Sequence, residues 1–352
     1  MSIFDGKNFN GEVFGQYVNT LPSLNKNELL KSGAVISRQD LAGKFVDQVG
    51  GNYMTLPITG RIGGAALNYD GATDITATGI GTYTQGRIVV GRAKAWEESD
   101  FSYEMTHKNF ESEIAAQIAQ YWDDVDFQII LSTLKGVFSM STGTENKAFV
   151  DKHTYDISDN ASNNVFGATT LNNAMQQALG DQKAKFTMAF LHSAVATNLE
   201  NLKLLDYMKY TDSNGIERSL GIATLNGRTV LIDDNMPTED VAETSSGAGD
   251  GYTKYTSYVL GNGAIEYTNC GAKVPYETHR NPTEKGGKNQ LIGRQRKIYS
   301  PYGLSFKNSG IISPTDTQLE TGSNWELANS NESTKKYIDH KYIPIARVIT
   351  RG

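Results

Sequence analysis

The sequence predicts an α+β fold organised around one long helix, and three observations carry that reading. Between Asn109 and Met140 no Pro occurs and the only Gly is Gly136. Phe110, Ile114, Ile118, Tyr121/Trp122, Val125 and Ile129 recur there at three- and four-residue steps, which is helical periodicity. A second row of Phe127, Leu131, Leu134 and Phe138 follows on a neighbouring face. At 1.5 Å per residue this stretch makes a helix of about 45 Å. Second, 35 Gly, 18 Tyr and 13 Phe against 8 Pro describe a remainder rich in strands and hairpins. Third, helix–strand–helix patterns give way to runs of hairpins, rather than to a regular βαβ alternation.

Taken in order, residues 1–49 form a polar N-terminal arm. Short helices are expected at Asn25–Lys31 and Arg38–Gln48, the second opened by a capping-box-like Ser37 and Asp40. Asn52–Ile58 and Gln85–Arg92 read as strands flanking a Gly- and Thr-rich stretch, with a turn at Asp70-Gly71. Too few large apolar residues lie there for an independent core. Residues 50–95 therefore read as an extended hairpin that leaves the body and lies on another surface, because an isolated hairpin is marginal in water. A short helix is expected at Glu97–Met105, ahead of the long one. Residues Ser141–Asn164 read as a polar loop. Thr170–Leu179 is an amphipathic helix closed by Gly180, Phe186–Leu191 a buried strand, and Ser193–Met208 a helix capped by Ser193. Lys209–Thr211 pairs with Ile216–Leu220, and Ile222–Leu225 with Thr229–Ile232 across Asn226-Gly227, the strongest hairpin signal in the chain. Tyr255–Leu260 and Ala264–Tyr267 are strands. Residues 277–297 read as a polar basic loop, and Ile298–Lys307 and Tyr342–Thr350 as the last strands.

Composition narrows the function. The net charge is −6, whereas a chain built to grip nucleic acid is normally basic. A single cysteine, Cys270, excludes an intramolecular disulfide framework and a thiolate zinc site. The N-terminus lacks the layout of a signal peptide, and no apolar run approaches the ~20 residues of a membrane span, so a soluble protein made in the cytoplasm is expected. Asp123, Asp124 and Asp126 are close in sequence, but adjacent helical positions point about 100° apart, which favours a solvated or intersubunit face over a metal site. Asp212–Glu217 lacks the alternating ligands of a calcium loop and reads as a tight turn. The five histidines are scattered, and no nucleophile elbow or phosphate loop occurs. No catalytic constellation, metal site or cofactor is expected. Arg280, Lys285, Lys288, Arg294, Arg296 and Lys297 form a basic cluster suited to phosphate contact, to an ion-paired seam with an acidic neighbour such as the Thr238–Asp250 loop, or simply to solvent.

The order of these elements resembles the Hong Kong 97-type fold of tailed-bacteriophage major capsid proteins, which bacterial encapsulin shells share. The segments that carry the resemblance are GRIVVGRAKAWEESDF (Gly86–Phe101), IAAQIAQYWDDVDFQIILSTLKGVF (Ile114–Phe138), FLHSAVATNLENLKLLDYMKY (Phe190–Tyr210), LGIATLNGRTVLIDDNMP (Leu220–Pro237) and YTSYVLGNGAI (Tyr255–Ile265). Residues 50–309 are well covered, the arm and the last ~40 weakly; the specificity lies in five segments in the right order.

The resemblance implies an arm (1–49), an extended loop (50–95), a peripheral domain with its spine helix (96–168), an axial domain (169–296), and strands and C-terminus (297–352) that return to the peripheral-domain sheet. It implies a non-enzymatic coat protein of the virion, assembled in the host cytoplasm through homo-hexamers and homo-pentamers into an icosahedral shell. Its implied partners are copies of itself, a portal, a separate scaffold or decoration protein, and double-stranded DNA contacted non-specifically. Arg61, Tyr69, Asp70, Arg87, Asp123, Asp124, Arg280, Arg294 and Arg296 are the candidate intersubunit contacts. Two departures follow from the residues. No Lys lies between Lys44 and Lys94, so an isopeptide bond made from a loop lysine, as in some family members, is ruled out. Only about 45 residues precede the loop, too few for a fused scaffolding domain. An encapsulin-like compartment, or a soluble α+β enzyme or binding domain, is the alternative.

Overall fold

The computed structural model describes residues 31–42, 52–60, 66–71, 74, 81–99, 111–211, 217–242, 251–284 and 287–352, together with Phe14, Val18 and Leu29. Strand β1 (Val35–Ser37) is followed by a 3-10 turn at Gln39–Leu41, so that only the start of the helix expected at Arg38–Gln48 is described. Strands β2 (Tyr53–Thr59) and β3 (Thr82–Ile88) pair antiparallel from Tyr53↔Ile88 to Thr59↔Thr82, the hairpin the sequence predicted. Strand β4 (Val90–Ser99) continues almost directly. It contains Glu97–Ser99, which the sequence placed in a helix; pairing with a long partner strand overrides the local helical preference there. Residues 100–105 of that expected helix lie outside the described residues.

Helix α1 (Glu111–Phe138) spans 28 residues. From Ile129 to Leu134 every residue is buried, so its C-terminal half is a core element while its N-terminal half is partly exposed. The Ser139 hydroxyl bonds back to Lys135 O at 2.7 Å and ends it. The expected loop at Ser141–Asn164 is instead helix α2 (Thr144–His153) and strand β5 (Thr154–Asp156). Its helical face is disguised because two of its buried positions are polar: Asn146, Phe149 and His153 point inward. Asn146 accepts from Leu327 N–H at 3.0 Å and donates to Thr142 O at 2.9 Å.

Helix α3 (Thr170–Leu179) and strand β6 (Phe186–Leu191) match their predicted bounds. Helix α4 (Ser193–Asn201) is shorter than expected, and its cap is His192, whose Nδ1 accepts from Ala194 N–H at 3.0 Å, not Ser193. The chain turns after Asn201, with Lys203 at φ 56°, and enters β7 (Asp206–Thr211). Strands β8 (Glu217–Leu225) and β9 (Arg228–Ile232) meet at Asn226-Gly227, both with positive φ (50° and 73°), as a type I′ hairpin requires. Residues 212–216, including the expected turn, lie outside the described set.

Next come β10 (Thr238–Val241), β11 (Tyr252–Gly261), β12 (Ile265–Asn269), β13 (Tyr276–Asn281) and β14 (Lys288–Pro301). The expected loop at 277–297 is therefore a β-hairpin; its polar residues alternate with Leu291, which is fully buried, and Ile298. The single strand expected at Ile298–Lys307 is split into the end of β14 and β15 (Leu304–Phe306). Helix α5 (Asp316–Glu320), opened by a capping box at Thr315 and Gln318, precedes β16 (Trp325–Leu327) and β17 (Ile345–Thr350).

Two sheets organise the chain. In one, β14 is flanked by β4 on one edge and by β12 and β13 on the other, with β1 parallel to β12. The other runs β5-β17-β11-β6-β9-β8-β7, with β10 on β11. Strand β17 therefore sits between β5 and β11 and not in the sheet of β14, where the resemblance placed it beside Ile298–Lys307; along it Ile345 enters one core and Ala346 and Val348 the other. Along β6 the same period of two sends Met188 and Phe190 into the core under α1, and Ala189 and Leu191 into the core under α3 and α4. The centre is thus a helix–sheet–helix sandwich. At the far end of α1, Gly136 lies against Leu319, where an added Cβ would stand 1.8 Å from its carbonyl oxygen.

Candidate intersubunit surfaces

The β2–β3 hairpin has a fixed root and an exposed distal part. Gln85 is fully buried, and its Nε2 donates to Pro301 O (2.6 Å) and Leu304 O (2.9 Å). Tyr53 OH donates to Phe306 O (2.9 Å), Thr84 N–H to Asn329 O (2.8 Å) and Asn52 Nδ2 to Ile312 O (2.8 Å). Each bond runs from the hairpin or its first flanking residue to the stretch from Pro301, at the end of β14, to Asn329. Further out the ribbon alternates between half-buried Leu56 and Ile58 and exposed Thr55, Pro57 and Thr59. Leu67 (51%) and Tyr69 (88%) are exposed, as is Asp70. Arg61 lies outside the described residues.

The basic cluster is a ladder on β13 and β14 in which each described member has a partner in the same chain. Arg280 meets Asn289 (2.9 Å), Lys288 meets Glu97 (2.9 Å) and Glu284 (3.3 Å), and Arg294 meets Glu277 (2.9 Å). Arg296 donates to Asn52 (2.7 Å), and Lys297 meets Asp126 (2.5 Å) with both side chains buried. Lys285 is outside the described set. Arg280 remains exposed and Arg294 and Arg296 half-buried. Arg87 is different from what the sequence suggested. It is 3% exposed and paired with Glu266, which Arg38 also reaches at 3.3 Å, so its charge serves the interior of the subunit. Burial lowers the pKa of its guanidinium, with Glu266 opposing.

Asp123 is half-buried and Asp124 exposed on the flank of α1. Desolvation, with Asp233 and Asp123 close by, raises the Asp124 carboxyl above its ordinary value. Among the described residues no group of three or more His, Cys, Asp or Glu is placed to hold a metal ion, and no helix is long and apolar enough to cross a membrane. Cys270 is buried beside Leu41, Met54, Val89 and Ile298, and burial pushes its thiol up to about 11.

One polar arrangement was not legible in the sequence. His153 is buried on α2, stacks on Phe149, and its Nδ1 bonds Ile345 O at 2.6 Å. Its Nε2 lies 3.1 Å from His340 Nδ1, and His340 Nε2 lies 3.2 Å from Lys152 Nζ. The lysine ammonium can only donate, which orders the protons: Lys152 to His340, His340 to His153, His153 to Ile345 O. Burial lowers the His153 pKa to about 4. The two histidines are 187 residues apart, so no spacing motif signals them.

The architecture, with its rooted hairpin, long spine helix and central sandwich, is the Hong Kong 97-type fold of tailed-bacteriophage capsids. The chain superimposes on the capsid of Ralstonia phage GP4 with a TM-score of 0.56 at 9% identity, over 91% of this chain and 87% of that one. It matches the capsid asymmetric unit of cyanophage Pam1 with a TM-score of 0.52 at 11% identity, over 94% and 93%. In sequence it is similar to the major capsid protein of Bacillus phage SPP1, 27% identical over 318 residues that cover 90% of each chain. No protein-family profile matches.

Proposed function

We propose that this protein is the major capsid protein of a tailed bacteriophage, the structural subunit from which the head shell is built. The observation that carries the reading is the end-to-end similarity to the SPP1 major capsid protein, 90% of both chains. The fold supports it, since a shell subunit needs a rigid body and projecting elements that reach neighbours.

The finer reading assigns parts. Residues 50–95 are the extended loop that lies over an adjacent subunit, presenting Leu67, Tyr69 and Asp70. Residues 96–168 and 297–352 are the peripheral domain with its spine helix, and 169–296 the axial domain at capsomer centres. The two share the eight-stranded sheet, because β17 lies between β5 and β11. Asp124, Arg280 and Arg294 are the surface charges proposed to meet neighbours, whereas Arg87 is a buried structural cation. Copies assemble through hexamers and pentamers around packaged double-stranded DNA, with a portal and a separate scaffold or decoration protein as partners, in the host cytoplasm. Each contact need not be strong, because hundreds act together.

Negative-stain electron microscopy with mass photometry tests this. Closed icosahedral shells, or rings of five and six, are the expected outcome, and shell diameter separates a phage head from a small cargo compartment. A persistent 38.5 kDa monomer that also fails to assemble with its candidate scaffold, yet binds a small ligand tightly, overturns the reading.

A further inference from the structure

The buried histidine pair has no place for a further proton. His153, at the C-terminal end of α2, is 1% exposed and stacks on Phe149 with ring centroids 4.4 Å apart. His340 is half-buried and opens the 3-10 turn His340–Tyr342 that leads into β17. The contacts run in series: Lys152 Nζ to His340 Nε2 at 3.2 Å, His340 Nδ1 to His153 Nε2 at 3.1 Å, and His153 Nδ1 to Ile345 O at 2.6 Å. An ammonium has no lone pair and a carbonyl oxygen no proton, so both ends of the series are fixed. Each imidazole is then neutral with its proton on Nδ1, and each contact has one donor and one acceptor. A proton added to His153 sets two donors face to face at the His340–His153 contact. If His340 reverses its tautomer to relieve this, the clash moves to the Lys152–His340 contact.

The surroundings do not offset the added charge. Among the described residues, Lys152 and Lys341 act against a proton on His340, and only Asp339 favours it. On β17, Arg347 donates to Thr154, the residue after His153, and Asp156 is the carboxylate that acts on it. Lys185, ahead of β6, lies over the Tyr342 ring. From α3 the neutral Gln177 donates to Asp151 O and Thr154 O. Asp151 itself is turned to the other flank of α2, beside Lys147.

We propose that Lys152, His340 and His153 form an acid-sensitive latch, which holds the His340–Tyr342 turn against α2 in neutral medium and releases it when the pair takes up a proton, while the rest of the subunit stays folded. The latch is a property of the single subunit, apart from any shell. Lys152 is its positioning residue: it keeps the His340 proton on Nδ1, and so denies a charged His153 its acceptor. The turn buries none of its three residues, a property of segments that open locally before a domain unfolds. It leads into β17, the strand that sends Ile345 into one core and Ala346 and Val348 into the other. The acidity of the medium is thereby coupled to the joint between the two cores.

Histidine-selective nitrogen-15 spectra and hydrogen exchange of the full-length subunit test this. At pH 7.5 the ring spectra are expected to place the protons of both His153 and His340 on Nδ1. With the His153 pKa lowered to about 4 against an ordinary 6.5, the open turn is favoured about 30-fold more at pH 5 than at pH 7.5. The Tyr342 and Ile343 amides donate within the turn, to Asp339 O and His340 O. Their protection, corrected for intrinsic exchange, should fall by that factor. The amides of the central strand β6 should stay more than ~10-fold better protected at both pH values. Lys152→Met frees His340 to reverse its tautomer; it should move the His340 proton to Nε2 and raise the His153 midpoint by about one pH unit. Lys341→Met removes an equal charge nearby and should leave the tautomer as it was. Four results each overturn the latch: a His340 proton on Nε2 in the natural protein, turn amides no less protected at pH 5, one common protection for the turn and β6, or an unchanged His340 tautomer in Lys152→Met.

Discussion

The contact between α1 and α5 makes a prediction whose sign opposes helix propensity. Gly136 lies inside α1, and Gly→Ala at a helix interior ordinarily stabilises by about 0.8–1.0 kcal/mol. Here an added Cβ stands 1.8 Å from Leu319 O and 2.6 Å from Trp325 Nε1. Ordinary contact begins near 3.4 Å, so the carbonyl must retreat by about 1.6 Å. That carbonyl accepts from the buried indole N–H of Trp325 at 2.7 Å. Overpacking typically costs about 1–3 kcal/mol, and leaving the indole donor unpaired about 1–3 kcal/mol more. Gly136→Ala is therefore expected to destabilise the subunit by about 3 kcal/mol after the propensity gain. Urea unfolding followed by far-ultraviolet circular dichroism measures it. The control is Gln128→Ala, on an exposed position of the same helix, expected within about 0.5 kcal/mol of the parent. A Gly136→Ala subunit as stable as the parent, or about 1 kcal/mol more stable, refutes the described docking of α1 on α5.

Three further outcomes follow from the buried polar groups. His153 has its folded pKa lowered to about 4 against an ordinary 6.5, so between these values the unfolded chain binds the extra proton. Stability is full above pH 6.5 and falls with pH, by about 2 kcal/mol at pH 5 and about 3 kcal/mol by pH 4. Urea midpoints across pH should show this slope, and His153→Gln should flatten it. The Cys270 thiol, buried and raised to about 11, should resist a thiol-specific disulfide reagent until the chain is unfolded; fast modification of the native subunit contradicts its placement. Lys297→Met alone strands the Asp126 carboxylate and should cost about 3–5 kcal/mol, whereas Lys297→Met with Asp126→Leu should recover most of it; equal losses in the single and double variants tell against the pair.

What the sequence disclosed tracks how local each cause is. The α3 helix, the β6 strand and the Asn226-Gly227 hairpin rest on periodicity and turn chemistry within about fifteen residues, and their bounds were readable. The long helix was readable because its apolar rows run without interruption. The failures have long-range causes. Strand β14 looks like a basic loop because its charges are neutralised by Glu97, Asp126, Glu277 and Glu284 on other segments. Helix α2 looks like a loop because Asn146 and His153 are buried against Leu327, Ile345 and His340, roughly 180 residues on. Arg87 looked like a surface cation because Glu266, its partner, is distant in sequence. Of the candidate contacts, Tyr69 and Asp70 are exposed on the hairpin, as their Gly- and turn-rich setting suggested.

The hairpin root shows why the late part of the chain matters to the early part. A two-stranded ribbon alone is marginal, and among the described residues β2–β3 adds to its own two strands only an isolated bridge between Thr84 and Asn329. Its rigidity is supplied by side chains that bond backbone carbonyls: Gln85 to Pro301 and Leu304, Tyr53 to Phe306. Pro301 ends β14, and Leu304 and Phe306 belong to β15, which pairs with β16, where Trp325 packs on Phe306 and bonds Leu319 O. Leu319 in turn rests on Gly136 of α1. A force on the exposed hairpin thus passes through three short segments, β15, β16 and α5, before reaching the spine helix, the joints being hydrogen bonds, strand pairing, an edge-to-face ring contact and a close backbone contact. Joints of that kind resist small displacement and give way abruptly. A subunit wired in this way transmits a pull on its extended loop to its own core as a rigid lever, which suits an element whose proposed task is to hold a neighbour in register.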